Sequence, residues 1–202
     1  GASPVGVSEH LIDFLPIPRV IRRSDATFAL DYHRHKTIGY IAPFYGNFSV
    51  ILKAYAYMLR LGKEGLIKAA EMAVLNANYC LARLKSYYEL PFDKACMHEC
   101  VFSASRQAKN GVHAIDIAKY LIDRGFHPPT VYFPLIVKEA LMIEPTETES
   151  KETLDEFIEI MIEIARLAKE NPSSVTEAPL RMPIKRLDET RAAREPDLRW
   201  QP

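Results

Sequence analysis

The sequence lacks an excess of charge of either sign and lacks any long apolar run. Its 202 residues contain 26 Lys+Arg and 26 Asp+Glu, so no general basic field favours nucleic acid or an anionic membrane. No apolar run approaches the roughly 20 residues that span a bilayer, and the N-terminus does not have the pattern of a signal peptide. We therefore expect a soluble, cytoplasmic protein whose partners include neither nucleic acid nor membrane.

Cysteine is also scarce, with only Cys80, Cys96 and Cys100. An odd number in a chain of this size favours reduced thiols. The pattern Cys96-Met-His98-Glu-Cys100 invites a metal interpretation, but a structural zinc site needs four nitrogen or sulfur ligands and no second cluster is present. If this segment is a strand, its three polar side chains share one face beside apolar neighbours. We predict buried thiols and no metal site.

The clearest local signals lie in the stretch 120–165. It predicts a helix that ends at Gly125, strands over 130–137 and 140–143, and a helix that begins at a capping box of Thr146 and Glu149. The apolar positions of that last helix repeat at helical spacing: Leu154, Phe157, Ile158, Met161, Ala165 and Ala168. These signals agree with one another and predict a folded unit.

The rest of the chain predicts two further helices before this unit, over 47–60 and 64–88, separated by Gly62. A strand over 98–105 and a helix over 112–124 follow. This order indicates an α+β fold, a small, mostly antiparallel sheet with helices on one face. We divide the chain into an irregular segment 1–46 that leads out of a missing large domain, a small domain 47–170 and an extended tail 171–202. The tail is expected to pack on a neighbouring domain or subunit through Leu187, Leu198 and Trp200, so that its removal from Asn171 onward leaves the rest folded.

Several unusual strings carry a family resemblance. GFHPPTVYFPL (125–135) and LMIEPTETESKETLDEF (141–157) resemble glycine dehydrogenase (decarboxylating), the P-protein of the glycine cleavage system, most closely subunit 2 of its two-subunit form. FLPIPRV, PFYGNF, AVLNANY, LPFDKACMHECVF and RLDETRAAREPDLRW extend the resemblance over nearly the whole chain. It implies the C-terminal small domain of a fold-type I pyridoxal phosphate enzyme. Such an enzyme, intact, releases carbon dioxide from glycine and passes the aminomethyl group to the lipoyl arm of the H-protein, and subunit 1 is a further partner.

His35-Lys36-Thr37 resembles part of that family's Asn-x-His-Lys-Thr motif, whose lysine carries the cofactor. The residues before it, 32–34, do not supply the Asn-x of the motif. The order of the matched strings also disagrees, because FLPIPRV follows the cofactor lysine in the family but precedes Lys36 here. The resemblance therefore implies that the cofactor lysine lies upstream, and that this chain contains no catalytic residue and is inactive alone.

Tyr45, Gly46 and Asn47 are the candidate cofactor-binding residues. A Gly-Asn pair at a helix start presents free backbone N–H groups and a positive dipole end, which suits a phosphate or a carboxylate. The alternative is structural, since Asn is a good helix N-cap and Gly a good turn residue.

Arg106 and His98 are the candidate substrate-binding residues. Fold-type I enzymes often hold the substrate carboxylate with an arginine of the small domain, a bidentate contact that lysine makes poorly. A surface arginine beside Lys109 is the alternative. His127, before two prolines, is expected to make a structural hydrogen bond. Other interpretations of the whole chain are the small domain of a different fold-type I decarboxylase, or an interaction module that docks through its tail.

Overall fold

A computed structural model describes residues 3–41 and 46–200. The chain divides into two compact units, Gly1–Leu66 and Ile67–Pro202. The predicted segment 1–46 ends close to a helix that starts at Phe48, and the predicted division into an irregular segment, a small domain and a tail stays a prediction. The described residues include no helix that is both long and apolar enough to cross a membrane. Helices and small antiparallel sheets are both present, and the predicted α+β class is confirmed.

The first unit is built from short elements. A 3₁₀ helix spans Glu9–Phe14, and strands β1 (Arg19–Arg22) and β2 (Phe28–Asp31) form an antiparallel hairpin. The connecting turn is held by Asp25, whose carboxylate accepts hydrogen bonds from the N–H and hydroxyl of Thr27 at 3.0 and 2.6 Å. None of the residues described between 3 and 66 is buried.

Helix α1 spans Phe48–Leu84 and contains a break at Gly62, where φ is +62° and ψ is −175°. These angles are accessible to glycine and costly for other residues. The sequence predicted this break as the boundary between two helices. Burial begins only at Asn76, and the last part of α1 contributes Cys80, Leu81 and Leu84 to the core of the second unit.

The sheet of the second unit has three strands in the order β3-β5-β4, all antiparallel: β3 (Cys100–Ser103), β4 (Thr130–Val131) and β5 (Ala140–Ile143). Cys100 pairs with Ile143 and Phe102 with Leu141, and these four side chains are buried. At the alternate positions, Val101 and Met142 are only half-buried, while Ser103 and Ala140 at the end of the strands are buried. This alternation places one face of the sheet against the helices, as the sequence predicted.

A one-turn helix α2 (Ser105–Ala108) and helix α3 (Ala114–Asp123) follow β3. Helix α3 ends at the predicted glycine, because Gly125 has a φ of +82° and the N–H of Phe126 reaches the carbonyl of Leu121 at 3.0 Å. This is the hydrogen-bond pattern of a glycine-terminated helix. Its buried residues Ile117 and Leu121 complete one side of the core.

Helix α4 spans Lys151–Glu170, and its buried face includes the predicted apolar positions. The predicted capping box was wrong, since the N-cap is Ser150, whose hydroxyl accepts the N–H of Thr153 at 3.2 Å. The Thr146 hydroxyl instead pairs with that of Thr148 at 2.7 Å. A better-placed serine four residues further on therefore takes the role predicted for Thr146.

The strand predicted over 130–137 is only two residues long. Tyr132 has a φ of +58° and Glu139 a φ of +52°, so the backbone turns away from the sheet at one end of the loop and turns back at the other. The loop is nevertheless anchored, since Tyr132 N–H donates to the Ala140 carbonyl at 2.9 Å and the Ser103 hydroxyl to that of Lys138 at 2.6 Å.

The first part of the tail is partly buried, whereas the sequence predicted that the whole tail lies outside the core. Helix α5 (Ser173–Thr176) buries Val175, and Ala178 is buried just after it. The Asp123 carboxylate accepts the N–H groups of Leu180 and Arg181. The last helix, α6 (Glu189–Arg194), contains no buried residue. The tail is thus packed against the core up to Pro179, and most of its described residues further on are exposed.

Candidate functional site

The Gly-Asn pair lies at the start of α1, as predicted. Gly46 has a φ of +89°, and the Asn47 side chain accepts the N–H of Val50 at 3.3 Å while its carbonyl accepts that of Ile51 at 3.0 Å. Asn47 therefore caps the helix. Both residues are exposed, so the helix start is accessible to a ligand. Tyr45, the third candidate, lies outside the described residues.

Lys36 lies on an exposed turn of the first unit. Its ammonium group is 3.8 Å from the Asp13 carboxylate, and both side chains are more than half exposed. Ion pairs of this kind contribute little because water screens them. Nothing in this setting favours Lys36 as a covalent cofactor site.

Arg106 lies on α2, directly after β3. Its guanidinium is exposed and donates to the Ser86 carbonyl at 3.3 Å. Together with Arg166 and Lys169 of α4 it lines a cavity of about 360 Å³. Arg166 is neutralised in part by Glu170, 2.5 Å away. The cavity remains cationic, which suits an anionic group such as a carboxylate.

Gln107, which the sequence analysis did not single out, lies beside Arg106 in the wall of the same cavity. It is 97% buried, since only 3% of its surface is exposed. Its side-chain N–H donates to the Tyr87 carbonyl at 3.0 Å, while its Oε1 has no hydrogen-bond partner among the described residues. This contact ties α2 to the chain that follows α1 and so helps to fix the position of Arg106.

His98 lies before β3, at the opposite end of the strand from Arg106. Its Nε2 is 3.9 Å from the carboxylates of both Glu99 and Glu144. A four-residue strand is about 13 Å long at 3.3 Å per residue. The structure thus does not bring the two predicted substrate residues into one small site. The sequence could not show that His98 and Arg106 lie apart. Their separation follows from the observed bounds of β3, which place one residue before the strand and the other after it.

A larger cavity of about 670 Å³ lies between the turn 125–130, the end of β5 and the first turns of α4. His127 lines it, together with the carboxylates of Glu144, Glu149 and Glu156. Both bordering segments lie in the strings that carry the family resemblance, but the cavity itself depends on tertiary packing. Its acidic lining does not suit the phosphate or carboxylate groups predicted as ligands.

The three cysteines lie in or against the core. Burial raises the pKa of the Cys80 thiol to about 12, and burial likewise raises the pKa values of Cys96 and Cys100. Such thiols stay protonated and are poor nucleophiles and metal ligands. His98 points to glutamates at the surface, and β3 begins only at Cys100, so the predicted sharing of one strand face does not occur. Within the described ranges, no group of three or more His, Cys, Asp or Glu side chains could hold a metal ion.

A second polar cluster, at the start of α3, was missed by the sequence analysis. The Glu139 carboxylate accepts the N–H of Ala114 at 2.8 Å and lies 3.0 Å from Nδ1 of His113. Burial disfavours ionisation of Glu139, but these two hydrogen bonds outweigh it and its pKa is lowered. Asp116 accepts the N–H of His113 and pairs with Arg186 at 2.7 Å. The cluster fixes the loop that ends at Glu139 and the tail against α3, which is a structural role.

Comparisons with known proteins show which family the chain belongs to. The family described as glycine dehydrogenase, C-terminal domain, matches residues 69–182. The chain is 56% identical over 200 residues to the probable glycine dehydrogenase (decarboxylating) subunit 2 of Caldanaerobacter subterraneus, covering 99% of this chain and 41% of that protein. It is also 56% identical over 201 residues to the corresponding Listeria welshimeri protein, again covering 41% of it.

A crystal structure of glycine decarboxylase, the P-protein of the glycine cleavage system, in inhibitor-bound form has a similar fold. The TM-score is 0.59 at 20% sequence identity, covering 77% of this chain and 37% of the other. At this identity the likeness shows the fold alone. The match to the family covers more than half of the chain, whose 202 residues span 41% of the length of these curated relatives. The chain belongs to the glycine dehydrogenase C-terminal domain family.

Proposed function

We propose that this chain is the C-terminal part of a pyridoxal-phosphate-dependent glycine decarboxylase. The observation that carries the proposal is the match of residues 69–182 to the C-terminal domain of glycine dehydrogenase, extended by 56% identity to relatives named as its subunit 2. The intact enzyme would remove the carboxylate of glycine as carbon dioxide and pass the aminomethyl group to the lipoyl arm of an H-protein. Subunit 1, the H-protein and glycine are the proposed partners.

Pyridoxal phosphate, when bound, supplies the electron sink for the carbanion left by decarboxylation. The described residues fit a contributory contact with its phosphate group. Gly46 and Asn47 are exposed at the start of a long helix, where backbone N–H groups and the helix dipole favour an anion. Lys36 does not fit the attachment role, so in this proposal the attachment lysine belongs to the polypeptide outside these residues.

Arg106 is the proposed contact for the glycine carboxylate. Its exposed guanidinium and the neighbouring Arg166 and Lys169 support this role, because cationic side chains around one cavity attract a carboxylate and a guanidinium can bind it through two hydrogen bonds. His98, at the other end of β3, would then contact a different group. Flanking carboxylates make it a better partner for a cation than for the carboxylate of glycine.

The test is an assay of carbon dioxide release from carboxyl-labelled glycine. The longer polypeptide that contains this chain, assembled with subunit 1 and lipoylated H-protein, should release labelled carbon dioxide. The 202-residue chain alone should release none, and borohydride in the presence of pyridoxal phosphate should not label Lys36 stoichiometrically. A folded, cofactor-loaded assembly without glycine-dependent release would overturn the activity. Specific labelling of Lys36 would overturn the assignment of the attachment lysine to the missing part.

A further inference from the structure

The first part of α1, residues 48–61, is an apolar helix with no buried side chain. Its sequence is FSVILKAYAYMLRL, in which only Ser49, Lys53 and Arg60 are polar. Val50 and Leu61 are half-buried, and every other residue of the segment is exposed. At 3.6 residues per turn, Ser49, Lys53 and Arg60 lie within about 40° of one another on one side of the helix. The rest of its surface is apolar, and an apolar surface that wide is normally buried in the core of a protein.

The largest side chains form a continuous stripe along this helix. Phe48, Ile51, Leu52, Tyr55, Met58 and Leu59 recur at helical spacing and are 70, 49, 51, 56, 49 and 67% exposed. Ala54 and Ala56 extend the apolar surface around the helix beyond the stripe, and both are exposed. A single flat contact would cover the stripe and leave the rest of the helix in water. The helix therefore needs a partner that covers its apolar sides and leaves the side of Ser49, Lys53 and Arg60 open to water.

We infer that the apolar sides of residues 48–61 are covered by the upstream part of the longer polypeptide to which this chain belongs. The chain spans 41% of the length of its curated relatives, and the family it matches is a C-terminal domain, so more than half of that polypeptide lies outside these residues. The whole first unit likewise lacks a core, because none of its described residues is buried. A segment of that length is large enough to supply an enclosing apolar surface.

This inference rests on the family assignment and on the length of the missing part, and it does not require the proposed activity. Its test therefore measures contact and not turnover. Hydroxyl-radical footprinting followed by mass spectrometry reports the exposure of Met58 and Tyr55, whose side chains both react readily. An added peptide of known reactivity fixes the radical dose, so that the 202-residue chain and the longer polypeptide can be compared.

Oxidation of Met58 and Tyr55 should be at least fivefold slower in the longer polypeptide than in the 202-residue chain. In the longer polypeptide, Leu52→Asp together with Leu59→Asp should restore much of the lost reactivity by opening the contact. Ser49→Asp is the control, because it adds one negative charge at a polar position of the same helix and should leave the protection unchanged. Circular dichroism of each variant verifies that the helices are retained.

Three results would overturn the inference. Equal oxidation rates in the two proteins would show that the missing part does not cover the helix. Protection in the 202-residue chain that grows with its concentration would assign the surface to a second copy. Protection of the longer polypeptide only after addition of subunit 1 would assign it to that subunit.

Discussion

Gly46 holds its backbone at a φ of +89°, a conformation that residues with a Cβ adopt only with strain. A Cβ at this position would meet only the Ile51 side chain, at an ordinary distance of 3.5 Å. The local requirement for glycine is thus the backbone conformation, and a phosphate contact would add a need for close approach. In the complete enzyme, Gly46→Val should weaken pyridoxal phosphate binding about tenfold to a hundredfold, the equivalent of a lost charge-assisted hydrogen bond of about 1.5–3 kcal/mol.

Cofactor titration of the purified variant checks this expectation. Gly39→Val is a matched control, since Gly39 lies in the same unit with a φ of +101° and no atom within 4 Å of an added Cβ. It imposes a similar backbone strain at a position with no proposed cofactor contact. Unchanged cofactor affinity in a folded Gly46→Val protein would reduce this turn to a helix cap.

Arg106 leads to a different expectation, because its proposed partner is the substrate and not the cofactor. Arg106→Lys retains the charge but loses the paired geometry of the guanidinium. We expect the KM for glycine to rise about tenfold to a hundredfold, corresponding to roughly 1.5–3 kcal/mol, with cofactor affinity nearly unchanged. Glycine saturation curves measure this effect.

Arg166→Lys is the control for Arg106, since Arg166 lines the same cavity and is already paired with Glu170. Its substitution should change the KM less than twofold. Equal effects of the two substitutions would mean that the cavity acts only through its overall charge and that Arg106 makes no specific contact.

The glycines show what sequence can predict at this scale. Gly62 and Gly125 were predicted to end helices, and both have positive φ values, because glycine is the residue for which such turns cost least. Tyr132 and Glu139 also have positive φ, but nothing in their identity signals it. Their conformation is imposed by hydrogen bonds to residues distant in sequence, such as the one from Ala104 N–H to the Glu139 carbonyl.

At the scale of an element, the sequence predicts helix α4 but not the residue that caps it. Its apolar repeat predicts the helix and its buried face, but two hydroxyl residues, Thr146 and Ser150, compete to begin it. The structure assigns the cap to Ser150. Ser150→Ala should therefore lower the free energy of unfolding by about 1 kcal/mol, measured by urea denaturation of the 202-residue chain.

Thr146→Ala is the discriminating control for this substitution. The Thr146 carbonyl accepts the side-chain N–H of Asn76 at 2.9 Å, and that backbone contact survives the change. We expect the loss to be less than about 0.5 kcal/mol, as is usual for an exposed side chain. A Thr146→Ala variant as unstable as Ser150→Ala would restore the capping box predicted from the sequence.

The strands of the second unit were harder to predict from the sequence than its helices. The run 140–143 was assigned correctly as a short apolar run, and it is a largely buried strand. The run 130–137 looks equally strand-like, yet only Thr130 and Val131 pair with β5. Leu135 and Ile136 are 87 and 83% exposed. Apolar character alone does not distinguish a buried strand from an exposed loop, because burial depends on which other segments are present.

At the scale of the whole molecule, the two units differ in how much core they contain. The second unit has a continuous core drawn from α1, α3, α4 and two strands of the sheet. The first has none among its described residues. The sequence predicted part of this contrast, since residues 1–46 carry many prolines and glycines and no long periodicity. It did not predict the exposure of helix 48–61, whose regular apolar pattern is typical of a core helix.

The tail gives the sharpest test at this scale. The sequence predicts that removal from Asn171 onward leaves the rest folded, but Val175 is fully buried and Arg186 pairs with Asp116, which is 5% exposed. A chain ending at Glu170 loses the burial of Val175, worth about 1.5–3 kcal/mol. It also removes the Arg186 guanidinium from Asp116, which costs less than breaking a fully buried pair, about 1–2 kcal/mol, because Arg186 is partly exposed and Asp116 still accepts the His113 N–H. Since small domains are stable by about 5–15 kcal/mol, thermal unfolding followed by circular dichroism should show a large loss of the melting temperature or of cooperative melting.

A chain ending at Arg186 separates this effect from that of the exposed end. It retains Val175 and the ion pair, and it removes only residues from 187 onward, all exposed where they are described. Its melting should match that of the whole chain, because removal of exposed residues changes stability by less than about 0.5 kcal/mol. Arg186→Ala in the whole chain should reproduce most of the cost of losing the pair with the buried Asp116. Arg191→Ala, which removes a pair with Glu195 that is exposed on both sides, should not. If the chain ending at Glu170 melts like the whole chain, the buried contacts of 175–186 contribute little and the tail packs elsewhere, as the sequence alone predicts.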